Sequence, residues 1–346
     1  MNAVSPEITK QQLPPQAVLM QMVMGFITSQ AVSVAAKLYI ADLLKDGAKT
    51  VEELAEATKT HAPSLYRLMR ALTSVGVFSK DAENRFSNTA LGEVLRSDHP
   101  ESMRGAAHMI CDREHWHSHG NMLQSVKTGE TAFDYTFGMP VFPYFAEHPE
   151  VAEIFDNAMT SFSTTIANAV AATYDFSEAQ TIADIGGGHG LLLSTVLQAN
   201  PQAKGILFDQ SYVVAGANEI LKNAGVTERV ETVGGDFFSK IPVKADVYLM
   251  KFIIHDWNDE QSLTILKNLA KSAEPGAKVL LVETVVEEDD SVPSISKVMD
   301  LNMLAMTGGK ERTPREYAEL FEQAGFKLTN VYLTPSPLQV VEAVRV

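Results

Sequence analysis

The stretch Thr181-Ile-Ala-Asp-Ile-Gly-Gly-Gly-His-Gly-Leu191 restricts the possible folds of this chain more than any other. A short apolar run ends in an acid and a glycine turn, and the helical pattern Leu191-Leu-Leu-Ser-Thr-Val-Leu197 follows. This is the strand, tight turn and helix of a nucleotide-type α/β unit, whose glycines let backbone approach a ligand at the carboxyl end of the first strand. Gly186, Gly188 and Gly190 are spaced G-x-G-x-G, with Asp184 two residues ahead. A dinucleotide fingerprint would need glycine where Leu191 stands. Pyrophosphate would also want a Walker-type Lys-Ser/Thr or a long nest of amides, and neither accompanies this turn. The pattern better suits a ligand that is cationic at sulfur and offers ammonium and ribose hydroxyls, as S-adenosylmethionine does. The competing reading is a glycine turn that packs helix on strand and binds nothing.

Beyond this unit the strand-helix alternation is regular. Strands are expected at Lys204–Asp209, Val230–Val233, Ala245–Met250 and Ala277–Glu283, with helices at Ala215–Asn223, Asp259–Lys271 and Thr313–Gln323. Lys327–Leu333 and Leu338–Val344, joined around Pro335-Ser-Pro337, close the chain as a hairpin. Parallel strands need helical crossovers, so the fold class is α/β, a doubly wound Rossmann-like sheet with an antiparallel finish. Ligands of such sheets lie beyond the carboxyl ends of the strands. Asp184, Asp209, Asp236, His255 and Glu283 all fall at or just past such ends.

The N-terminal part differs. From Ala17 to Leu44 runs an apolar segment interrupted by Gln21, Ser29, Gln30, Ser33 and Lys37, which reads as a buried or subunit-facing helix rather than a membrane span. Thr50-Val-Glu-Glu53 carries a capping pattern, and Ala62-Pro63 opens a second helix. Val77–Ser79 and Arg85–Ser87 then form a small hairpin, completing a winged-helix outline. Such a module can bind DNA. Residues 47–97 hold seven basic and six acidic side chains, and the second helix offers only Arg67 and Arg70 to a phosphate backbone. The whole chain of 346 residues carries a formal charge of −15, which repels nucleic acid and anionic membrane. A dimerisation scaffold is the preferred reading. The single cysteine, Cys111, allows no internal disulfide, and residues 1–15 do not read as a signal peptide, so a cytoplasmic location is expected.

Between His99 and Phe162 aromatic residues concentrate, among them Phe133, Tyr135, Phe137, Phe142, Tyr144, Phe145 and Phe155. They form either core or the wall of an apolar substrate pocket. His115-x-His117-x-His119, near Cys111 and Asp112, suggests a metal site, but spacings of two diverge on a helix and no second ligand cluster supports it. No metal is expected.

With Met250-Lys-Phe-Ile-Ile-His-Asp-Trp257 added to Asp184-Ile-Gly-Gly-Gly-His-Gly190, Leu-Phe-Asp209, Val-Gly-Gly-Asp236-Phe and Gly-Gly-Lys-Glu-Arg-Thr313, the chain resembles a known family. The family is the S-adenosylmethionine-dependent small-molecule O-methyltransferases, plant caffeate-type and bacterial polyketide and hydroxyneurosporene-type enzymes among them. The resemblance covers nearly the whole chain. It implies a class I methyltransferase sheet over residues 101–346, with substrate-lining helices in 101–175 and the Rossmann-like core in 176–346. Residues 1–100 would be a winged-helix-like domain forming an intertwined homodimer. Asp184 would bind the cofactor, Gly186 and Gly188 would face its methionine moiety, and Asp209 would accept from the ribose hydroxyls. Asp236 and Phe237 would hold adenine, with Lys251 contacting the cofactor near it. His255 resembles the general base, Glu283 and Glu311 the acids that flank it, and Asp256 a group that touches substrate or orients the base. Met159, Trp257, Met303 and Met306 match positions around the acceptor. In departure from the plant enzymes, His189 replaces a threonine, Gln210-Ser211 replace an apolar residue and proline, and the pocket-lining segment between Leu301 and Lys310 is shorter.

The resemblance implies methyl transfer to a hydroxylated small molecule, releasing S-adenosylhomocysteine. A phenol has a pKa of about 10, so a histidine of reference pKa about 6.5 is a suitable base. The same fold and cofactor doing hydroxylation or decarboxylation is one alternative. A ligand-sensing winged-helix regulator is the other.

Overall fold

A computed structural model describes residues 13–346, in two compact units, one ending at Cys111 and the other running Asp112–Val346. The first unit opens with the helix Pro15–Lys37, whose proline occupies the first turn, where no N–H is missed. By length and composition alone this helix could also cross a membrane, yet little of its apolar length is buried within the chain. Tyr39, in the left-handed region at φ 52°, breaks the apolar segment before the short helix Ile40–Leu43. The helix Val51–Thr58 starts with the expected capping box. Thr50 Oγ1 accepts from the Glu53 amide and Glu53 Oε2 from the Thr50 amide. The helix Ala62–Ser74 and the antiparallel pair β1 (Phe78–Lys80) and β2 (Phe86–Asn88) follow in the order anticipated. Leu54, Leu65, Met69, Leu72, Phe78 and Phe86 form the centre of this unit's core.

The second unit is built on a seven-stranded sheet: β3 (Thr181–Ile185), β4 (Lys204–Asp209), β5 (Val230–Gly234), β6 (Val247–Lys251), β7 (Lys278–Glu283), β8 (Phe326–Leu333) and β9 (Gln339–Arg345). Its order is β5-β4-β3-β6-β7-β9-β8. The pairs from β5 to β7 are parallel, whereas β9 runs antiparallel to both β7 and β8. Strands β3, β6 and β7 are buried on both faces, which accounts for their nearly continuous apolar sequences. One face packs Leu193, Val196 and Leu197 of the helix Leu191–Ala199, and the other packs Ile265, Leu266, Leu269, Tyr317 and Phe321.

One helix expectation fails. Ala215–Asn223 is not continuous; the chain forms Ser211–Val214, turns, and resumes at Asn218–Asn223. The break falls at Gly216, where a Cβ would lie 2.8 Å from Nε2 of His189. Glycine is a poor interior helix residue, and here its missing side chain makes room for the imidazole of the glycine turn.

Candidate active site

The cofactor side begins at the end of β3. The amides of Gly186 and Gly187 donate to the Phe208 carbonyl, and that of Gly188 donates to Asp209 Oδ2 at 2.8 Å. The Gln210 amide takes Asp209 Oδ1 at 2.6 Å. A Cβ on Gly186 would lie 2.4 Å from Ile253 Cδ1 and one on Gly187 2.6 Å from Asp184 Cγ, so this turn closes only without side chains. Gly188 shares the positive φ of Gly186, at +59°, but has open space where a Cβ would stand, so a ligand can approach its backbone closely. Asp184 is fully buried, and neither of its oxygens has a well-formed hydrogen bond. Burial pushes its carboxyl up to about 7, against the pull of Lys251 and the Leu193 amide. Burial raises Asp209 also, against its two backbone donors. A buried acid whose oxygens lack a well-formed hydrogen bond, next to the glycine turn and a second acid, fits a ligand carrying cationic and hydroxyl groups.

Of the other cofactor candidates, Asp236 spends its carboxyl on its own turn, accepting from the Phe238 amide and the Ser239 hydroxyl. Phe237 meets Trp257 edge-on at 6.1 Å between ring centres. Lys251, last residue of β6, has its pKa lowered by burial, opposed by Asp184, Glu283 and Asp256; its Nζ lies 4.6 Å over the Phe252 ring.

The chemical side grows from the turn after β6. Phe252 stands in the left-handed region at φ 55°, a conformation costly for a residue with a side chain. The turn brings the amides of Ile253 and Ile254 onto Glu283 Oε1 at 3.1 and 3.0 Å, and the 3₁₀ turn Ile254–Asp256 carries His255. His255 is buried, its Nδ1 lying 2.9 Å from Glu311 Oε1 and 3.7 Å from Glu283 Oε2. Its Nε2 is 3.7 Å from Asp256 Oδ1, and the Phe252 ring stacks on the imidazole at 5.1 Å. The Glu311 amide donates in turn to Asp300 Oδ1.

Burial by itself would depress the imidazole, but the charges of Glu283 and Asp256 and the Glu311 hydrogen bond reverse it, pushing His255 up to about 10. Burial raises Glu283 to about 7 and Asp256 to about 6, against the attraction of His255. These groups therefore exchange protons as a cluster. Donor atoms of His255, Glu283 and Glu311 all lie within 4.8 Å of one another, so this set of nitrogen and oxygen ligands could also hold a divalent ion. The histidines singled out in the sequence do not converge. His115 is buried, with its pKa lowered to about 4 chiefly by burial, and stacks on His119 at 6.2 Å, while His117 is exposed.

On the acceptor side, Trp257 packs 5.5 Å from Phe142 and 4.7 Å from Phe238, its indole N–H buried without a partner. Met306 joins Phe133, Val141 and Tyr144 in an apolar cluster that also takes in Phe137, Phe142 and Phe145. Met303 is buried one turn earlier on the helix Ile295–Met306, and Met159 is half-buried on the helix Pro149–Thr173. The sequence reading assigned no role to Phe252, Gly309 or Arg312. The last two lie inside the Gly-Gly-Lys-Glu-Arg-Thr motif, which was the available signal.

Comparison with known proteins gives the family of both parts of the chain. Residues 116–327 match the O-methyltransferase domain family and residues 20–98 the O-methyltransferase dimerisation domain. The chain is 43% identical over 331 residues to phenazine O-methyltransferase PhzM of Lysobacter antibioticus, covering 96% of each. It superposes on the crystal structure of LaPhzM with a TM-score of 0.92 at 42% identity, over 96% of this chain and 100% of that one. The O-methyltransferase NcsB1 from neocarzinostatin biosynthesis, in complex with S-adenosylmethionine and 2-hydroxy-5-methyl naphthoic acid, matches at a TM-score of 0.79 and 32% identity, over 92% and 96% of the two chains. With its acid-and-glycine turn, its buried histidine between carboxyls and both domains of the family in their places, the chain belongs to the S-adenosylmethionine-dependent small-molecule O-methyltransferases.

Proposed function

We propose that this enzyme methylates a hydroxyl of a small aromatic or polyketide-like acceptor, with His255 as general base. The observation that carries the reading is the 2.9 Å contact of His255 Nδ1 with Glu311 Oε1. Nδ1–H donates to the carboxyl, which fixes the tautomer and leaves the Nε2 lone pair for the acceptor proton. Glu283 spends one oxygen on the amides of the His255 turn and presents the other to the imidazole, so it holds the turn and favours the imidazolium that forms. Asp256 stands beside Nε2, where it can receive or orient the acceptor hydroxyl.

S-adenosylmethionine, when bound, supplies an electrophilic methyl on a sulfonium and departs as S-adenosylhomocysteine. Asp184, Gly186, Gly188 and Asp209 would hold its methionine and ribose parts, and Asp236, Phe237 and Lys251 its adenine end. As the acceptor oxygen took up that methyl, Nε2 of His255 would receive the hydroxyl proton, held on the imidazole opposite the Glu311 hydrogen bond at Nδ1. Trp257, Met159, Met303 and Met306, with the aromatic cluster, would clasp the acceptor ring; adaptable methionines suit an apolar ring of irregular outline. The enzyme works as a homodimer in the cytoplasm, with no nucleic-acid or membrane partner.

Incubation with labelled S-adenosylmethionine and a panel of hydroxylated aromatics tests the reaction. His255→Gln keeps size and some hydrogen bonding but cannot take the proton, so turnover of a phenol should fall by about 10²–10⁴ with cofactor affinity unchanged. Near parental turnover by this variant, with chemistry limiting, would overturn the assignment. Activity should survive a chelator; loss that a divalent ion restores would favour the metal reading of the same three donors.

A further inference from the structure

The arrangement that lets His255 meet Glu311 joins two segments more than fifty residues apart, and one side chain spans them. Arg312 is fully buried, and its guanidinium finds acceptors for all five N–H groups. Nη1 donates to the carbonyls of Ile254 at 3.0 Å and Lys310 at 3.3 Å. Nη2 donates to the carbonyl of Trp257 at 2.9 Å, to Asp259 Oδ1 at 2.9 Å and to Ser262 Oγ at 3.1 Å, and Nε reaches Asp259 Oδ1 at 3.1 Å. The two turn carbonyls bracket His255 and Asp256 in the chain. Arg312 also follows Glu311 directly, and its own carbonyl accepts from the Val286 amide, three residues past Glu283.

Gly309 closes the same junction from the other end. A Cβ there would lie 2.0 Å from the His255 carbonyl oxygen, 2.5 Å from the Asp256 carbonyl carbon and 2.7 Å from the Trp257 nitrogen. All three are backbone atoms, so no side-chain rotation relieves the clash. The segment 309–312 thus lies flat on the backbone of the His-Asp-Trp turn through a glycine and is pinned to it by an arginine.

We infer that Arg312, with Gly309, is a positioning residue for the reaction: the pair fixes the His255 turn against the Glu311 segment, so that the imidazole keeps its tautomer and its aim at the acceptor. This rests on the reading of His255 as the base. A lysine cannot substitute, because three donors on one nitrogen do not span carbonyls set apart on a turn and an acid beyond them.

The test measures kcat and KM for Arg312→Lys, Gly309→Ala and the milder Ser262→Ala beside His255→Gln, on phenols graded in acidity, with cofactor affinity by calorimetry and melting temperature in parallel. On a weakly acidic phenol kcat should fall by about 10–100-fold for the first two variants, the usual effect of a misplacement near 1 Å, and a few-fold for Ser262→Ala. Cofactor affinity should hold, and the deficit should shrink as the phenol becomes more acidic, because an acceptor already ionised needs no base. A purely structural role would lower every acceptor alike. Uniform losses, or parental rates, in these variants while His255→Gln keeps its acidity-dependent deficit would overturn the positioning role alone. If Arg312→Lys does not fold, Ser262→Ala decides by the same criterion. An unimpaired His255→Gln would instead overturn the base reading, and this inference with it.

Discussion

His255 is surrounded by more negative charge than one imidazole needs. Three carboxyls approach it, and together they overcome the burial that would otherwise make it a weaker base. The pKa is therefore raised above the ordinary histidine value, and the imidazole is neutral only on the alkaline side. Activity on a neutral phenol should rise with pH through that raised value and then level. Glu311→Gln removes one of the charges, so its kcat/KM profile should rise at lower pH, to a reduced plateau; a profile rising at the same pH would reject Glu311 as a cause of the shift. Asp184 gives a different expectation. Its folded pKa of about 7 lies above its ordinary value of 3.8. As pH rises between those values the unfolded chain has already lost the proton that the folded one retains, so stability contributed by this group falls across that window. In the ligand-free protein Asp184→Asn should therefore gain melting temperature relative to the parent from pH 5 to pH 8. Equal differences at both pH values would show that Asp184 is not held protonated. For Asp209→Ala, loss of hydrogen bonds to a charged group should weaken cofactor binding by about 1.5–3 kcal/mol, measured by calorimetry.

At the scale of elements, the site is assembled where strands stop. Carboxyl ends were legible because β3, β4 and β7 are largely apolar runs that end in or next to an acid and β6 leads into the His-Asp-Trp triplet, so Asp184, Asp209 and Glu283 lie there as the alternation required. The turn between β6 and His255 was not legible. Its φ of 55° falls on Phe252, a residue that gives no glycine signal, and the conformation holds because the flanking amides bond to Val282 and Glu283 on the neighbouring strand. Arg312 was equally hidden, since its acceptors are carbonyls distant in sequence. The split of the expected 215–223 helix came from a tertiary demand, the seat of His189 over Gly216. Phe252→Gly separates the two contributions of that turn. Relief of left-handed strain, of order 1–3 kcal/mol, offsets part of the lost ring packing, so the melting temperature should change little. The stack over His255 is lost outright, and kcat should drop. A variant that melts far below the parent would show that the ring serves the core rather than the base.

For the whole molecule, the helix Pro15–Lys37 poses the largest unresolved exposure. Leu19, Met22, Val23 and Phe26 form one apolar stripe at helical spacing, with Met22 72% exposed, and Met20, Met24 and Ile27 form another. A helix apolar on several sides is stable in water only when it is covered on several sides. The dimerisation domain match over residues 20–98 supports a homodimer and so favours a second copy of this chain as the cover, and the charge of −15 argues against an anionic bilayer in that place. Each large apolar side chain taken from water contributes about 1.5–3 kcal/mol, and a symmetric dimer counts each one twice. Met22→Glu with Phe26→Glu should therefore weaken association by several orders of magnitude, and the added charge should keep the separated chains soluble. Sedimentation at micromolar protein should show the parent as a dimer and the double variant as a monomer of 37.8 kDa. A double variant still dimeric would move the interface elsewhere on the chain. A parent that pellets with neutral phosphatidylcholine vesicles, where charge gives neither attraction nor repulsion, would identify a lipid surface as the cover instead.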